Sequence, residues 1–222
     1  MLEKYVKKIL ASRVYDVAVE SPLTVAAGLS ARLGCSVQLK REDLQQVYSF
    51  KLRGAYNKMA GLSAEQLARG VIAASAGNHA QGVALAAREL GVPALIVMGR
   101  NAPSIKVSAV KNLGAKVVLH GDTFDEAAAH AQTLVDKHGY AFVHPYDDVD
   151  TIAGQGTIGM EILQQTSVPP DAIFVPVGGG GLIAGVAAFV KYLHPQTKII
   201  GVEAEGSACL SAALKAGRRV RL

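Results

Sequence analysis

The chain has 222 residues, of which 50% are apolar and 18% charged, and this balance excludes a disordered chain. The net charge is +5, but Arg218, Arg219 and Arg221 lie among the last five residues, so the body of the chain is no polycation and we expect no nucleic-acid partner. Cys35 and Cys209 lie far apart in the sequence, which excludes a disulfide scaffold and favours a reducing cytoplasm.

The first predicted elements alternate between helix and strand. Residues 23–33, followed by Gly34, predict a helix with a stop signal. Residues 36–41 alternate in polarity and predict a strand. A helix is expected over about 51–60, and Ser63 to Gln66 form a capping box that opens another.

From residue 70 onward the chain repeats a strand, a short loop and a helix. The predicted strands are 70–75, 94–98, 116–120, 140–144, 172–177 and 198–203. The predicted helices are 78–90, 103–113, 123–138, 151–164, 182–193 and 207–216. The strands are short apolar runs, as in parallel sheets covered on both faces. The rhythm predicts an α/β fold, and breaks near 145–150 and 167–171 favour two mostly parallel sheets.

Four consecutive glycines, residues 178–181, lie between a predicted strand and a predicted helix. Glycines at a helix start let backbone N–H groups approach an anion, so the run predicts a phosphate site. Gly179, Gly181 and Ala184 also fit a dinucleotide fingerprint, with Glu203 as the candidate ribose-binding acid. Residues 172–190 carry no charge, but the glycines and Pro176 interrupt this stretch, so we expect no membrane span.

Lys51 follows Phe50 at the start of the predicted helix 51–60. The positive end of the helix dipole favours the neutral amine, which is the setting of a lysine that attacks an aldehyde. The alternative is an ordinary solvated lysine on the protein surface.

Two further segments combine small and polar residues at helix starts. Residues 75–79, Ser-Ala-Gly-Asn-His, predict a carboxylate cradle or, alternatively, a plain polar cap. Gly154, Gln155 and Gly156 stand at or inside a helix start, where glycines indicate close approach by a ligand. The histidines show no metal-ligand spacing, so no metal site is predicted.

Six segments in order resemble the fold-type II (β-family) pyridoxal-phosphate enzymes, and most closely their threonine/serine dehydratases. They are KRED (40–43), SFKLRGAYN (49–57), ASAGNHAQG (74–82), AGQGT (153–157), VPVGGGG (175–181) and GVEAE (201–205). The resemblance covers about 15–216 and implies pyridoxal 5'-phosphate as the cofactor. It implies two open parallel-sheet α/β domains, one of 1–41 plus 146–222 and a smaller one of 42–145.

The resemblance also assigns roles by matching position. Lys51 would bind the cofactor covalently and act as the base at the substrate Cα, and Phe50 would pack near the cofactor ring. Asn78 would donate a hydrogen bond to the cofactor's 3'-oxygen. The phosphate would be held by Gly178, Gly179, Gly180 and Gly181. The substrate carboxylate would be cradled by Ser75, Gly77 and His79, with Gln155 as a further candidate.

The implied reaction is the dehydration and deamination of L-threonine to 2-oxobutanoate, or of L-serine to pyruvate, with release of ammonia, as in isoleucine biosynthesis. Racemases of this family carry a serine where this chain has Ala76, so the resemblance favours elimination.

The family's larger domain extends beyond residue 222, so we expect that domain to be incomplete and the chain to form a homo-oligomer, a dimer or a tetramer. Two alternatives remain open: a catalytically impaired homologue that binds pyridoxal phosphate, and a dinucleotide-binding α/β module.

Overall fold

The computed structural model describes residues 2–220, so Arg221 lies outside the described residues. The chain forms two compact units. One comprises the chain up to Ser12 together with Tyr146 onward, and the other comprises Arg13–Pro145. The domain limits stated above stay a prediction.

Helices and strands alternate along most of the chain. The strands are β1 (Leu23–Val25), β2 (Gln38–Lys40), β3 (Val71–Ala74), β4 (Ala94–Met98), β5 (Lys116–Leu119), β6 (Ala141–Phe142), β7 (Ala172–Pro176) and β8 (Lys198–Val202). The helices are α1 (Leu2–Leu10), α2 (Ala27–Leu33), α3 (Lys51–Ala60), α4 (Ala64–Arg69), α5 (Asn78–Leu90), α6 (Ser104–Asn112), α7 (Phe124–His138), α8 (Val149–Gln165), α9 (Gly181–Leu193) and α10 (Cys209–Ala216). The predicted α/β class is confirmed.

The strands of the described residues form three sheets. A four-stranded parallel sheet has the order β5-β4-β3-β6, and β7 pairs with β8 in parallel. The third sheet is an antiparallel pair of β1 and β2 with Leu23 opposite Lys40. The sequence predicted only the two parallel sheets.

The antiparallel pair corrects the helix predicted over 23–33. Leu23, Thr24 and Val25 form β1 instead, and the helix begins only at Ala27. Hydrogen-bond pairing with β2, a tertiary contact, overrides the local helical pattern there. The stop signal is correct, since Gly34 adopts the left-handed conformation with φ 67°.

Local end signals placed the other helices well. The capping box at α4 is complete, because Gln66 N donates to Ser63 Oγ at 3.2 Å and Ser63 N donates to Gln66 Oε1 at 2.9 Å. Gly91 and Gly139 end α5 and α7 in the left-handed conformation. Helix α1 was not predicted.

Burial differs between the sheets. All of β3 and nearly all of β4 are buried, as predicted for strands covered on both faces. The prediction is wrong for β5, β7 and β8, which are partly exposed; Phe174 of β7 is 67% exposed. Within the described part of the chain, none of the helices is long and apolar enough to cross a membrane.

Candidate active site

Lys51 is the first residue of α3, and its side chain is half-buried. Its Nζ donates a hydrogen bond to the carbonyl oxygen of Pro145 at 2.7 Å and lies 5.5 Å from the centroid of the Phe50 ring. Burial lowers the pKa of Lys51 from 10.5 to about 8, because removal from water disfavours the charged amine. A substantial fraction of this amine is therefore neutral near pH 8, as a nucleophile or a base requires.

The backbone of Lys51 rests against a glycine of the neighbouring helix. A Cβ atom on Gly82 of α5 would lie 3.0 Å from the carbonyl carbon of Lys51 and 3.0 Å from the amide nitrogen of Leu52. Gly82 thus allows α3 and α5 to pack backbone to backbone. Sequence analysis missed this role, although a glycine inside a predicted helix was its available signal.

The segment 75–79 turns from β3 into α5 and presents backbone donors. Gly77 N donates to Ser75 Oγ at 3.2 Å, which shapes the turn. Gly77 is the N-cap and offers no side-chain cap, while Asn78 begins the helix and is exposed. The first N–H groups of a helix have no partner within it, so this start can hold a carboxylate.

His79 takes part in this start in a restricted way. Its Nε2 lies 2.8 Å from the carbonyl oxygen of Val143, which can only accept, so Nε2 carries the proton. Its Nδ1 is buried and has no hydrogen-bond partner among the described residues, and burial lowers the pKa of His79 to about 4. The neutral ring therefore offers Nδ1 as an acceptor only. A bound carboxylate would reach the backbone N–H of His79, not its ring.

The glycine loop 178–181 leads from β7 into α9. Gly180 adopts a left-handed conformation with φ 85° and forms the N-cap of α9. A Cβ atom on Gly179 would overlap the Tyr146 ring, and one on Gly181 would lie 2.7 Å from the Tyr146 carbonyl oxygen. Cβ atoms on Gly178 and Gly180 would meet no atom of residues 2–220 within 4 Å. The loop therefore packs on Tyr146 with one side and stays open on the other.

Gln155 lies inside α8, in its second turn. It is 1% exposed, and its Oε1 has no hydrogen-bond partner among the described residues. The neighbouring glycine serves helix packing: a Cβ atom on Gly156 would meet the Ile9 side chain and lie 3.0 Å from the Gly185 carbonyl oxygen. Close approach of another helix, not of a ligand, explains this glycine.

Glu203, the candidate ribose-binding acid, caps a helix. Its Oε1 accepts from Leu210 N at 2.8 Å and its Oε2 from Ser211 N at 2.9 Å, at the start of α10. Both carboxylate oxygens are engaged in capping. The dinucleotide interpretation thereby loses support for its acidic residue.

The predicted site residues fall into two groups, each within one unit. The unit Arg13–Pro145 contains Phe50, Lys51, Ser75, Gly77, Asn78 and His79. The other unit contains Gln155 and Gly178 to Gly181. Sequence reasoning missed Val143 and Pro145, because they act through backbone carbonyls, which leave no signal in residue type.

Known proteins resemble this chain over its whole length. It is 58% identical over 219 residues to the chloroplastic biosynthetic threonine dehydratase of Arabidopsis thaliana, covering 99% of this chain and 37% of that protein. The structure of the processed form of threonine deaminase isoform 2 from Solanum lycopersicum matches with a TM-score of 0.97 and 57% identity, covering 100% of this chain and 61% of that one. Maize serine racemase matches with a TM-score of 0.93 and 34% identity, covering 99% of this chain and 66% of that one.

The chain spans about two fifths of the length of the curated relatives it matches. It covers 37% of the protein from Arabidopsis thaliana and 44% of a biosynthetic L-threonine dehydratase from Burkholderia multivorans. Residues 15–222 match the family described as "Pyridoxal-phosphate dependent enzyme". The resemblance drawn from the sequence motifs is confirmed, and with it the fold class and pyridoxal phosphate as the family's cofactor. The chain belongs to the family of pyridoxal-phosphate dependent enzymes.

Proposed function

We propose that this chain carries the catalytic lysine and the cofactor phosphate loop of a pyridoxal-phosphate dependent ammonia-lyase. Its substrate would be L-threonine or L-serine, and the products 2-oxobutanoate or pyruvate with ammonia. Relatives named threonine dehydratase, 55% to 60% identical over almost the whole chain, support this substrate class.

One observation carries the proposal: the state of Lys51. Its amine is half-buried, receives no carboxylate partner in any ion pair of the described residues, and has a pKa of about 8. A lysine paired with a carboxylate would be held in its charged form, which cannot attack an aldehyde or accept a proton. The Lys51 Nζ can do both near neutral pH.

Each of the two groups of residues, taken within its own unit, suits one part of pyridoxal phosphate. The open side of Gly178 and Gly180, at the start of α9, suits a phosphate group held by backbone N–H donors. Lys51 would hold the aldehyde carbon and Asn78 the 3'-oxygen. When bound, the cofactor supplies an electron sink that stabilises negative charge at the substrate Cα.

The chain's own residues would then bind and orient the substrate. The N–H groups at the start of α5, around Gly77 and His79, would hold the carboxylate, and Lys51 Nζ would take the proton from Cα. Ala76 offers no acidic proton for return to the opposite face of Cα. Loss of the β-hydroxyl group is therefore favoured over racemisation.

Three narrower statements belong to the same proposal. The site residues keep the roles given by the resemblance, including Phe50 beside the cofactor ring. Gln155 would accept a hydrogen bond through its Oε1, which has no partner in the described part of the chain. The assembly would be a homo-oligomer, a dimer or a tetramer. The location would be the cytoplasm, although several plant relatives are named chloroplastic.

The test is the visible absorption of the purified protein with added pyridoxal phosphate, before and after L-threonine or L-serine. The expected result is a protein-bound band that shifts with substrate, together with release of 2-oxo acid. Borohydride reduction and peptide mapping should then place the cofactor on Lys51.

A band without turnover would support the alternative of an impaired homologue that binds the cofactor. Cofactor trapped on another lysine, or no band at all, would contradict the proposed site. Measurement of D-serine from L-serine separates racemisation from elimination.

A further inference from the structure

A buried ion pair begins two residues after Lys51, and the resemblance gives it no role. The Arg53 side chain is fully buried and Glu42 is 12% exposed. Arg53 Nε donates to Glu42 Oε2 at 2.8 Å, and Arg53 Nη2 donates to Glu42 Oε1 at 2.8 Å. This two-point contact fixes both the distance and the orientation of the two groups.

Further hydrogen bonds tie the pair to the preceding chain. Ser21 Oγ donates to Glu42 Oε1 at 2.6 Å, and Arg53 Nη2 reaches the Val19 carbonyl oxygen at 3.2 Å. Gln45, which is 1% exposed, donates through Nε2 to Val19 O at 2.7 Å and accepts from Val19 N at 3.1 Å. We call Glu42, Gln45 and Arg53 the clamp.

A contribution to the free energy of unfolding does not explain why the charged residues of the clamp are buried. A buried ion pair loses hydration on both charges, and well-packed apolar side chains often give equal or greater stability. What apolar side chains cannot reproduce is the fixed orientation of a guanidinium group on a carboxylate. We therefore expect the clamp to act on the conformation of the segment between Gln45 and Arg53.

That segment contains a strained residue. Tyr48 lies between Gln45 and Lys51 and is the one non-glycine residue at positive φ in the described chain, with φ 54°. It is 79% exposed, so packing of its side chain does not hold this conformation. Its N–H donates to the Gln45 carbonyl oxygen at 2.8 Å. Such strain persists where the surrounding structure over-determines the backbone, and here the clamp does so at both ends.

Helix geometry connects the clamp to the lysine. Residues two apart on a helix point in directions about 200° apart. Arg53 therefore grips one side of the first turn of α3, while Lys51 projects from the other side to Pro145 O. Rotation or shift of this turn would move Nζ away from that carbonyl oxygen.

We propose that Glu42 and Arg53 are positioning residues for Lys51, which hold the strained loop and the first turn of α3 so that Lys51 Nζ stays half-buried against Pro145 O. The inference deepens the proposed function and rests on it for the use made of Lys51. The placement of Lys51 itself is measurable without cofactor.

The test measures acetylation of Lys51 by acetic anhydride in cofactor-free protein from pH 6 to 10, with peptide mass spectrometry and the exposed Lys137 as internal reference. Only the neutral amine reacts, so the midpoint reports the pKa of Lys51. In the unaltered chain we expect a midpoint of about 8. Arg53→Lys, Glu42→Gln and the apolar pair Glu42→Leu/Arg53→Met should shift it toward 10.5 and lower the rate at pH 7.5 by about tenfold or more.

The apolar pair separates positioning from stability. Urea unfolding should show that the double variant is about as stable as the unaltered chain. Its Lys51 should nevertheless react as slowly as in the single variants. An unaltered Lys51 profile in this folded double variant would overturn the proposal.

Tyr48→Gly supplies a second test that does not need the apolar pair to fold. Glycine adopts positive φ without strain, so the loop should keep its path when the clamp is weakened. Tyr48→Gly added to Arg53→Lys should recover at least half of the lost rate, and no recovery would contradict the strained-loop route. Glu65→Gln is the control, since its pair with Arg69 is exposed on α4 of the same unit, and the Lys51 profile should not change.

The two hypotheses fail separately. A shifted Lys51 profile in the variants, with no cofactor bound by the unaltered chain, would contradict the proposed function and leave the clamp standing. If the unaltered chain binds the cofactor normally and the variants leave the Lys51 profile unchanged, the proposed function stands and the positioning role of Glu42 and Arg53 is contradicted.

Discussion

The two candidate binding segments, at the starts of α3 and α9, are built in opposite ways. At α3, burial lowers the pKa of a lysine side chain, and the clamp, Pro145 and Gly82 position it. At α9, the proposed phosphate contacts would come from the backbone of the glycine loop alone, and the loop packs on Tyr146. The first arrangement spreads its requirements over residues distant in sequence. The glycine loop instead depends on four consecutive residues, so the sequence reveals it directly.

The largest effect should come from Lys51→Ala. We expect it to abolish both covalent cofactor capture and dehydration, because no other group in the proposal supplies the nucleophile or the base. Absorption spectra and a 2-oxo-acid assay measure this, with Lys58→Ala on the same helix as the control. Full dehydration by Lys51→Ala would exclude the chemical role of the α3 start.

Acid sensitivity should come from His79 at the start of α5, in the same unit as α3. Its folded pKa of about 4 lies below the ordinary 6.5, so the unfolded chain binds this proton first and stability falls as pH drops from 6.5 to 4. The unaltered chain should lose up to about 3 kcal/mol more over this range than His79→Gln does.

Urea unfolding at several pH values measures this difference. The exposed His138→Gln is the control and should follow the unaltered chain. Parallel pH dependence in the chain and in His79→Gln would show that this imidazole is not kept neutral by burial.

A methyl group at Gly179 tests the glycine loop. Gly179→Ala places its Cβ in the Tyr146 ring and forces the loop or the ring to move. We expect weaker binding of pyridoxal phosphate by about ten- to hundredfold, from an overpacking cost of about 1–3 kcal/mol. Calorimetric titration measures it. Gly206→Ala, in the same unit but outside the loop, meets none of the described atoms within 4 Å and is the control; equal losses in both variants would contradict a role of the Tyr146 contact in binding.

The smallest predicted effect is at Gly82→Ala. The new Cβ would lie 3.0 Å from the backbone of Lys51 and Leu52. This contact is too close to persist, and only a shift of α3 or α5 can relieve it. We expect a loss of about 1 kcal/mol in the free energy of unfolding, at the low end of overpacking costs. Gly28→Ala in α2 meets no atom and should not destabilise, since alanine favours helix over glycine. If Gly82→Ala unfolds with the same free energy as the unaltered chain, the two helices tolerate a greater separation.

Much of the fold was predictable because its signals are local. Glycines that end helices, the Ser63–Gln66 capping box and the apolar runs of β3 and β4 act within a few residues of where they stand. Strand β1 was missed because its hydrogen bonds go to β2, which lies beyond a helix. The exposure of β7 and β8 was missed because a pattern of apolar residues does not state which faces are covered.

The sequence by itself determined the family, the candidate lysine and the glycine loop, since motifs of fixed residue types in fixed order carry them. Only the tertiary structure decided what surrounds them. It assigned Glu203 to a helix cap, Gly156 to helix packing and Nδ1 of His79 to the role of an acceptor. These outcomes depend on backbone N–H groups, backbone carbonyls and close contacts between helices, and residue type alone does not record such neighbours.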